Sequence, residues 1–201
     1  MIVYDININR GAPMRRRDDE KERSIKEAVI KLILKEGFQG TSISKIAKEA
    51  GVSPATVYIY FENKEIMLQD IYRQYSEEIF NYLLNRVHQE MEGRQLIEIL
   101  IRSYYNYVQE NEEIFHFVDQ FSNCPSLASG CCSEINGMCK INHLIVEMKN
   151  KHIIKNYSNE NLFAVIFYPV KSIAVNHRKT ESERAALLQE MIQMIQDALL
   201  I

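Results

Sequence analysis

Apolar residues recur three or four positions apart along most of this 201-residue chain, and no stretch shows the strict alternation of a half-buried strand. The first stripe predicts a helix that begins at Asp18 or Asp19 and ends near Gly37. Its apolar members are Ile25, Ala28, Val29, Leu32 and Ile33. The hydrophobic pattern therefore predicts an all-α protein.

The sequence after Asn63 predicts six further helices that form a larger body. The first is long, from about Lys64 to Met91, because no glycine or proline interrupts it before Gly93. The other five are predicted at residues 94–109, 112–122, 133–153, 160–176 and 180–201. No apolar run approaches the ~20 residues of a membrane-spanning helix, so we expect no membrane partner.

One stretch in the N-terminal third has the start and stop signals of two short helices joined by a tight turn. Thr41 or Ser42 can cap the first helix, since a hydroxyl accepts a hydrogen bond from a free backbone N–H. Gly51 follows, where a chain leaving a helix needs a positive φ. Ser53 can cap the second helix, with Pro54 at its first position. This pattern is typical of a DNA-binding helix-turn-helix, although ordinary helical bundles contain it too.

The second of these helices predicts a surface that faces DNA. Val52 and Val57 can pack inward, which leaves small hydroxyl and phenol side chains pointing outward. Such groups bond phosphates and base edges, and the Thr56 methyl suits the thymine methyl. Lys64 adds a point charge for phosphate. The predicted DNA-contacting residues of this stretch are Thr41, Ser42, Ser53, Pro54, Ala55, Thr56, Tyr58, Tyr60 and Lys64.

The same stretch resembles the N-terminal domain of TetR-type transcriptional regulators. The resemblance rests on Thr41-Ser42-Ile43, Ile46-Ala47, Ala50-Gly51-Val52-Ser53, Thr56-Val57-Tyr58, Tyr60-Phe61 and Lys64-Glu65. Ala55 departs from the pattern, because many relatives have glycine there, and this affects how closely the helix backbone approaches DNA.

The resemblance covers about residues 18–68 and implies an all-α homodimer. In that family three N-terminal helices bind a double-stranded DNA operator, and a larger helical body holds a small-molecule effector and the dimer contact. We accordingly predict a head at residues 18–65 and an effector-binding and dimerisation body at residues 66–201. Repression is the family's habit, so a repressor is the predicted role.

Residues 1–13 carry no helical period, and we predict a flexible arm at residues 1–17. The arm ends in Arg15, Arg16 and Arg17. These arginines can reach phosphates or a minor groove, or they can be a solvated charge run. The net charge is +2 over residues 1–65 and −5 over residues 66–201, which fits a DNA-facing head on an acidic body. The start of the chain lacks a signal-peptide pattern, so we expect a cytoplasmic protein with reduced cysteines.

The last two helices are apolar nearly all round, which requires burial on several sides. They can be buried within one subunit, or they can pack against the same pair of a second chain. We predict the second arrangement, because a two-fold dimer also places two recognition helices about one DNA turn apart on a palindromic site. The predicted interface residues are Phe163, Phe167, Val170, Ile173, Leu188, Met191, Ile195 and Leu199.

Aromatic side chains are frequent in the middle of the chain, where they form core or line a cavity. Rings with polar tips beside methionine, cysteine and histidine suit an apolar cavity with a few anchoring groups. TetR-like regulators commonly bind a small, often apolar effector in this region, and we expect hydrophobic or aromatic cations to release DNA. The predicted ligand-binding residues are Tyr104, Tyr105, Phe115, Phe121, Cys139, His143, Phe163 and Phe167.

Two alternatives to a repressor released by an apolar effector stay open, and one of them involves the cysteines. Cys124, Cys131, Cys132 and Cys139 lie close in sequence, and Cys139 and His143 have the spacing of a helical metal-ligand pair. A metal- or thiol-redox-sensing repressor could use this cluster; a DNA-binding regulator without an effector is the other alternative. The spacing matches no standard zinc pattern, so we predict no metal and no cofactor.

An enzyme is the rival class, and the motifs argue against it. No phosphate-binding glycine loop, nucleophile elbow or His-Glu-x-x-His sequence occurs. The five histidines are scattered, with no evident acidic pairing. We therefore predict no catalytic residues.

Overall fold

The computed structural model describes the backbone of residues 12–88, 90–122 and 136–201, and the side chains from Asp18 onward within these ranges, apart from Asn136 and Met138. The chain divides into two compact units, Met1–Ile71 and Tyr72–Ile201. Over the described residues the secondary structure is helical, with one isolated antiparallel bridge between Ile154 and Leu200. None of the helices in these ranges combines the length and apolarity that a bilayer crossing demands.

Nine helices lie in the described ranges, three in the head and six from Lys64 onward. They are α1 (Ala12–Gly40), α2 (Ile43–Glu49), α3 (Pro54–Tyr60), α4 (Lys64–Leu84), α5 (Gly93–Glu110), α6 (Glu112–Phe121), α7 (Asn136–Asn150), α8 (Asn159–Ala174) and α9 (Glu181–Leu199). The predicted all-α class, with a three-helix head and a six-helix body, is confirmed.

The head has one apolar core, in which α2 packs against both α1 and α3. Burying each large apolar side chain contributes about 1.5–3 kcal/mol relative to leaving it in water. Within the unit Met1–Ile71, the described side chains at most 1% exposed are Ile25, Val29, Ile33, Ile46, Ala47, Val57, Met67 and Ile71. The stripe predicted for the first helix therefore faces this core.

Two helix ends differ from the sequence prediction. The first helix begins at Ala12, ahead of Asp18, although its predicted break at Gly37 is present, with φ at 73°. The fourth helix ends at Leu84 instead of Met91. There the Arg86 guanidinium lies 3.5 Å from the Tyr82 ring centroid and donates to the Tyr82 carbonyl at 2.9 Å. A basic side chain that satisfies a last-turn carbonyl ends a helix without glycine or proline.

In the body, α5 packs against α6, α8 and α9, and α8 packs against α9. The α5–α9 contact includes a buried polar residue whose hydrogen bonds are satisfied. Arg94 Nη1 donates to Gln196 Oε1 at 2.8 Å, and Gln196 Nε2 donates to the Arg94 carbonyl at 2.8 Å. The last helix begins with a capping box between Thr180 and Glu183, as the predicted start at Thr180 requires.

Candidate nucleic-acid interface and ligand cavity

The α2–α3 turn is built by the local signals that the sequence carries. Ser42 Oγ accepts from Lys45 N at 3.3 Å and caps α2. Gly51 has a φ of 68°, and Val52 N next donates to the Ala47 carbonyl at 2.9 Å. These hydrogen bonds fix the turn without help from distant residues, because each partner lies within five positions.

The α3 helix begins with a matching cap. Ser53 Oγ accepts from Thr56 N at 3.1 Å and lies 2.9 Å from Thr56 Oγ1, with Pro54 at the first helical position. Val57 is fully buried and holds the helix against the head core. Ser53, Pro54 and Ala55 are exposed, and Thr56 is half-buried. The predicted contact residues at the start of α3 are therefore accessible, except that the Thr56 hydroxyl is bonded to Ser53.

The outer side of α3 presents two large side chains to solvent. Tyr58 is 56% exposed and Ile59 is 79% exposed. The sequence reasoning included Tyr58 but missed Ile59. The exposure of Ile59 could have been predicted from its position two residues after Val57, because this spacing puts the two side chains about 200° apart around the helix. No residue of α3 is charged, so this surface contacts a partner through apolar groups, hydroxyls and a phenol.

Two other predicted contact residues are engaged inside the head. Thr41 is 2% exposed, and its hydroxyl donates to the Gly37 carbonyl at 2.9 Å. Lys64 Nζ donates to the Phe38 and Thr41 carbonyls at 2.9 and 3.1 Å, and it lies 3.9 Å from the Phe38 ring centroid. These contacts tie the end of α1 to the start of α4. The Thr41 side chain is therefore part of the head core, and a Lys64 contact with phosphate stays a prediction.

Tyr60, at the end of α3, forms a hydrogen bond with α1. Its hydroxyl donates to the Asp18 carbonyl at 3.1 Å. Burial, together with the charges of Asp18 and Glu22, raises the pKa of the Tyr60 phenol. The side chains of Arg15, Arg16 and Arg17, which are predicted to reach DNA, lie outside the described residues.

Three lysines of the head, Lys31 on α1 and Lys45 and Lys48 on α2, differ in their availability. Lys45 Nζ is 2.6 Å from Glu36 Oε2 and lowers the pKa of that carboxyl, mainly through the hydrogen bond. Lys31 pairs with Glu49 and lowers the pKa of Glu49 in the same way. Lys48 is exposed in the last turn of α2. Of these three lysines, Lys48 is the one without an ion pair in the described part of the chain.

A second feature, within the body, is a cavity of about 260 Å³. Its residues come from α4, α5, α6 and α8, with Ser122 at the end of α6. They are Tyr72, Ser76, Ile79, Phe80, Tyr104, Phe115, Val118, Asp119, Ser122, Phe163, Phe167, Tyr168 and Lys171. Most of the lining is apolar or aromatic, as ligand sites for small molecules generally are.

Aromatic rings that contact one another form one wall of this cavity. The Tyr104 ring lies edge-on to Phe167 at 4.9 Å between centroids and to Phe115 at 5.9 Å. Phe163 is 4.5 Å from Phe167 and 6.3 Å from Phe80. These separations are those of stabilising aromatic pairs, so the wall is rigid.

The cavity also has a few polar groups. Ser76 Oγ is buried and has no hydrogen-bond partner within the described residues. Lys171 Nζ lies 2.6 Å from Asp119 Oδ1, with both side chains about one-third exposed. Burial, with the Asp119 charge next in importance, raises the pKa of Tyr104 far above its ordinary value, so its phenol stays neutral. An unsatisfied buried hydroxyl costs about 1–3 kcal/mol, and a ligand that bonds it would remove that cost.

The helix-turn-helix resembles those of known proteins. The sequence model of the family described as bacterial regulatory proteins, tetR family, matches residues 25–71, which include the whole helix-turn-helix. The HTH-type transcriptional regulator YuxN of Bacillus subtilis (strain 168) is 39% identical over 66 residues, which is 33% of this chain and 23% of YuxN. Residues 25–71 are therefore a DNA-binding domain of the TetR family.

Two solved structures extend the likeness in fold to the body. A TetR family transcription regulator from Marinobacter aquaeolei VT8 superposes with a TM-score of 0.77 at 24% identity, over 93% of this chain and 99% of that one. The Bacillus subtilis regulator FadR in complex with stearoyl-CoA gives 0.68 at 19% identity, over 86% and 96%. At these identities the likeness is one of fold. The chain spans between 23% and 63% of the length of the curated relatives it matches.

The predicted ligand residues of the body divide into two groups. Tyr104, Phe115, Phe163 and Phe167 line the cavity together. Tyr105 instead lies with Leu188 in a cleft between α5 and α9, because consecutive helical residues point about 100° apart. Phe121 packs on Phe117 at 5.1 Å between centroids, so it belongs to the core. Cys139 is exposed on α7, and His143 lines a separate groove with Lys140 and Glu147.

The predicted interface residues are mostly core residues of a single chain. Six of the eight are at most 8% exposed, so they cannot be the main contact with a second chain without rearrangement. These six are Phe167, Val170, Ile173, Leu188, Ile195 and Leu199. Apolar residues that do reach the surface of α9 include Leu187, Met191, Met194 and Ala198, spaced four, three and four positions apart. On α8 they include Val165 and Tyr168.

Three of the four cysteines lie outside the described residues, whereas two of the histidines lie beside an acidic residue. Cys124, Cys131 and Cys132 lie outside the described residues, so the cluster that they form with Cys139 stays a prediction. The expectation that no histidine pairs with an acid is wrong. His116 and His177 both lie within hydrogen-bond distance of Glu112. The Glu112–His116 spacing of four was visible in the sequence, but His177 is 65 positions from Glu112.

Proposed function

We propose that this TetR-family regulator is a repressor that binds a palindromic operator as a homodimer and is released by a small, mostly apolar effector. The observation that supports DNA binding best is the exposed side of α3, which the Gly51 turn and the Ser53 cap position. Residues 18–65 are the proposed DNA-binding domain, and residues 66–201 are the proposed effector-binding and dimerisation domain. A DNA-binding protein of this kind acts in the cytoplasm of a bacterium.

In the proposed complex α3 lies in the major groove. The Ile59 side chain supplies apolar contact for a thymine methyl, and the Tyr58 hydroxyl supplies a hydrogen bond to a base edge or phosphate. Since α3 is uncharged, the attraction to phosphates must come from other residues. Lys48 and the arginines Arg15, Arg16 and Arg17 are the proposed sources.

The DNA contact is tested with operator sites selected from random double-stranded DNA. Tyr58→Ala should weaken binding by at least about tenfold, which corresponds to the low end of a base contact. Tyr157→Ala is the matched control, because Tyr157 is also about half exposed but lies before α8. Equal affinity of the Tyr58 variant and the parent, measured by fluorescence anisotropy, would contradict the proposal.

The proposed effector occupies the cavity with its apolar part against the aromatic wall. Its polar end meets the Asp119–Lys171 pair, and Ser76 Oγ donates to or accepts from it. The FadR structure that shares this fold was solved with stearoyl-CoA, so long-chain acyl compounds are one class to test. Hydrophobic or aromatic cations are the other class, because Asp119 could hold a positive charge once Lys171 is displaced.

Two substitutions distinguish these classes in a DNA-release assay. Lys171→Met should abolish release by an anionic effector, and Asp119→Asn should abolish release by a cationic one. Lys140→Met, an exposed lysine on α7, is the control for loss of charge. Release that neither variant changes, for any compound that displaces the parent from DNA, would place effector binding elsewhere.

The proposed dimer uses the exposed apolar side of α9 together with Val165 and Tyr168 of α8. Met194 is 56% exposed, which is unusual for an apolar side chain of this size next to others like it. Met194→Glu should give a monomer in analytical ultracentrifugation and weaken operator binding. Ser182→Glu adds the same charge to the exposed start of α9 and should leave the dimer intact. A Met194→Glu protein that still sediments as a dimer would exclude this face.

A further inference from the structure

Three metal-ligating side chains meet on the body, away from both features described above. Glu112 is the first residue of α6, His116 follows one turn later, and His177 lies between α8 and α9. His177 Nε2 is 2.9 Å from Glu112 Oε1, and His116 Nε2 is 3.3 Å from the same oxygen. One ligand atom from each residue lies within 4.8 Å of the other two.

We propose that Glu112, His116 and His177 form a site for a divalent transition-metal ion of the zinc type. Zn²⁺ bonds of about 2.0–2.2 Å in a tetrahedral arrangement put ligand atoms roughly 3.3 Å apart, so rotation of the side chains closes the set around an ion. Two imidazoles and one carboxylate favour Zn²⁺, Co²⁺ or Ni²⁺ over the oxygen-bound Mg²⁺ and Ca²⁺. Water fills the remaining position, since all three side chains are partly exposed.

The segment that carries His177 is held next to α6 by contacts that do not involve the site. Gln109 Nε2, at the end of α5, donates to the Ala174 carbonyl. Arg184 Nη1 donates to the Lys179 carbonyl at 2.9 Å, and Arg184 Nη2 donates to Gln109 Oε1 at 3.3 Å. These hydrogen bonds bracket His177 on both sides along the chain. The third ligand is therefore positioned before any ion arrives, which lowers the entropic cost of binding.

A bound ion would join α6 to the segment after α8. Helix α6 also supplies Asp119, and α8 supplies Lys171, and the ion pair of these two residues lies at the ligand cavity. The ion would thus link α6 to the end of α8, two helices that both line the cavity. The metal site is nevertheless independent of the proposed effector, because none of its three residues lines the cavity.

Cobalt titration of the full chain tests the site. The expected result is one Co²⁺ per chain, with the visible absorption of nitrogen and oxygen ligands and without the near-ultraviolet band of a cobalt–thiolate bond. Zn²⁺ should displace the Co²⁺ and raise the melting temperature, since an ion that binds only the folded state stabilises it. His177→Asn and Glu112→Gln should each weaken Co²⁺ binding by at least about tenfold.

Two controls separate this site from other ligands in the chain. His152→Asn removes an exposed histidine and should leave Co²⁺ binding unchanged; asparagine also tolerates the positive φ found at residue 152. A variant with all four cysteines replaced by serine should bind Co²⁺ as the parent does. Parent-like binding by His177→Asn, loss of binding only in the cysteine variant, or no micromolar binding by the parent would each overturn the proposal.

Discussion

The helices α3 and α8 both carry more apolar residues than one buried face can use, but they are held in place in different ways. The seven-residue α3 has one fully buried side chain, Val57, and depends on the Ser53 cap and the Gly51 turn. The sixteen-residue α8 is held by six buried side chains and packs on α5 and α9. An apolar residue of α3 is therefore free to contact a partner, whereas most of those in α8 are needed for the fold.

The largest expected effect separates the two helices with the same substitution. Ile166→Ala in α8 removes a buried side chain and should lower the free energy of unfolding by about 2–4 kcal/mol. Ile59→Ala in α3 should change it by less than about 0.5 kcal/mol, because the side chain is largely in water. Urea unfolding, followed separately for the body and for the head, measures both changes in the free energy of unfolding. Similar losses for the two variants would remove the contrast on which the α3 interface depends.

The cap of α3 is the next test. Ser53→Ala removes the hydroxyl that accepts from Thr56 N and should destabilise the head by about 1 kcal/mol, with a parallel loss of operator affinity. Ser44→Ala, at an exposed position inside α2, is the control and should be neutral or slightly stabilising, because alanine is the better helix former. A Ser53 variant as stable as the parent would mean that packing alone fixes α3.

A serine in the body should respond in the opposite direction. Ser76 Oγ has no partner in the described residues, so Ser76→Ala should leave stability unchanged or raise it by up to about 1 kcal/mol. The same variant should bind the effector more weakly. Thermal melting with and without an active compound measures both quantities. Destabilisation by Ser76→Ala in the absence of compound would show that its hydroxyl is satisfied in solution.

The smallest effect is electrostatic. The hydrogen bond from Lys45 lowers the pKa of Glu36 below its ordinary value of 4.5. A carboxyl whose pKa is lower in the folded state stabilises the protein above its unfolded pKa and loses that contribution as the pH falls through the folded value. Glu36→Gln should therefore reduce head stability slightly at neutral pH and make no difference in stronger acid. A difference between variant and parent that persists at the lowest pH would point to packing instead of charge.

The contrast between α3, which local contacts fix, and α8, which packing fixes, explains which features could be predicted from the sequence. The caps at Ser42 and Ser53 and the positive φ at Gly51 depend on residues within five positions, so a short sequence pattern contains all the information. The early end of α4 coincides with the stacking of Arg86 on Tyr82. That contact is local, but the apolar stripe continues past Leu84 and predicts a longer helix.

The body was harder because its decisive contacts are distant in sequence. Periodicity showed that α8 and α9 are apolar all round, but not that Leu188 faces α5 while Met194 faces solvent. Four of the predicted ligand residues meet at one cavity, because aromatic side chains are large and prefer to contact one another, but a role in ligand binding stays a prediction. The meeting of His177 with Glu112 required the α8–α9 connection to return to the start of α6, which no local pattern encodes.

The absence of charge on α3 has a consequence for how this regulator would choose among sites. Ions in solution compete with lysine and arginine for phosphates and weaken attachment to every DNA sequence alike. The proposed base contacts of Tyr58 and Ile59 would involve no ion release. A rise in cellular potassium should therefore lower the affinity for operators and for random sites by the same factor, and the order of affinities among operators should not change.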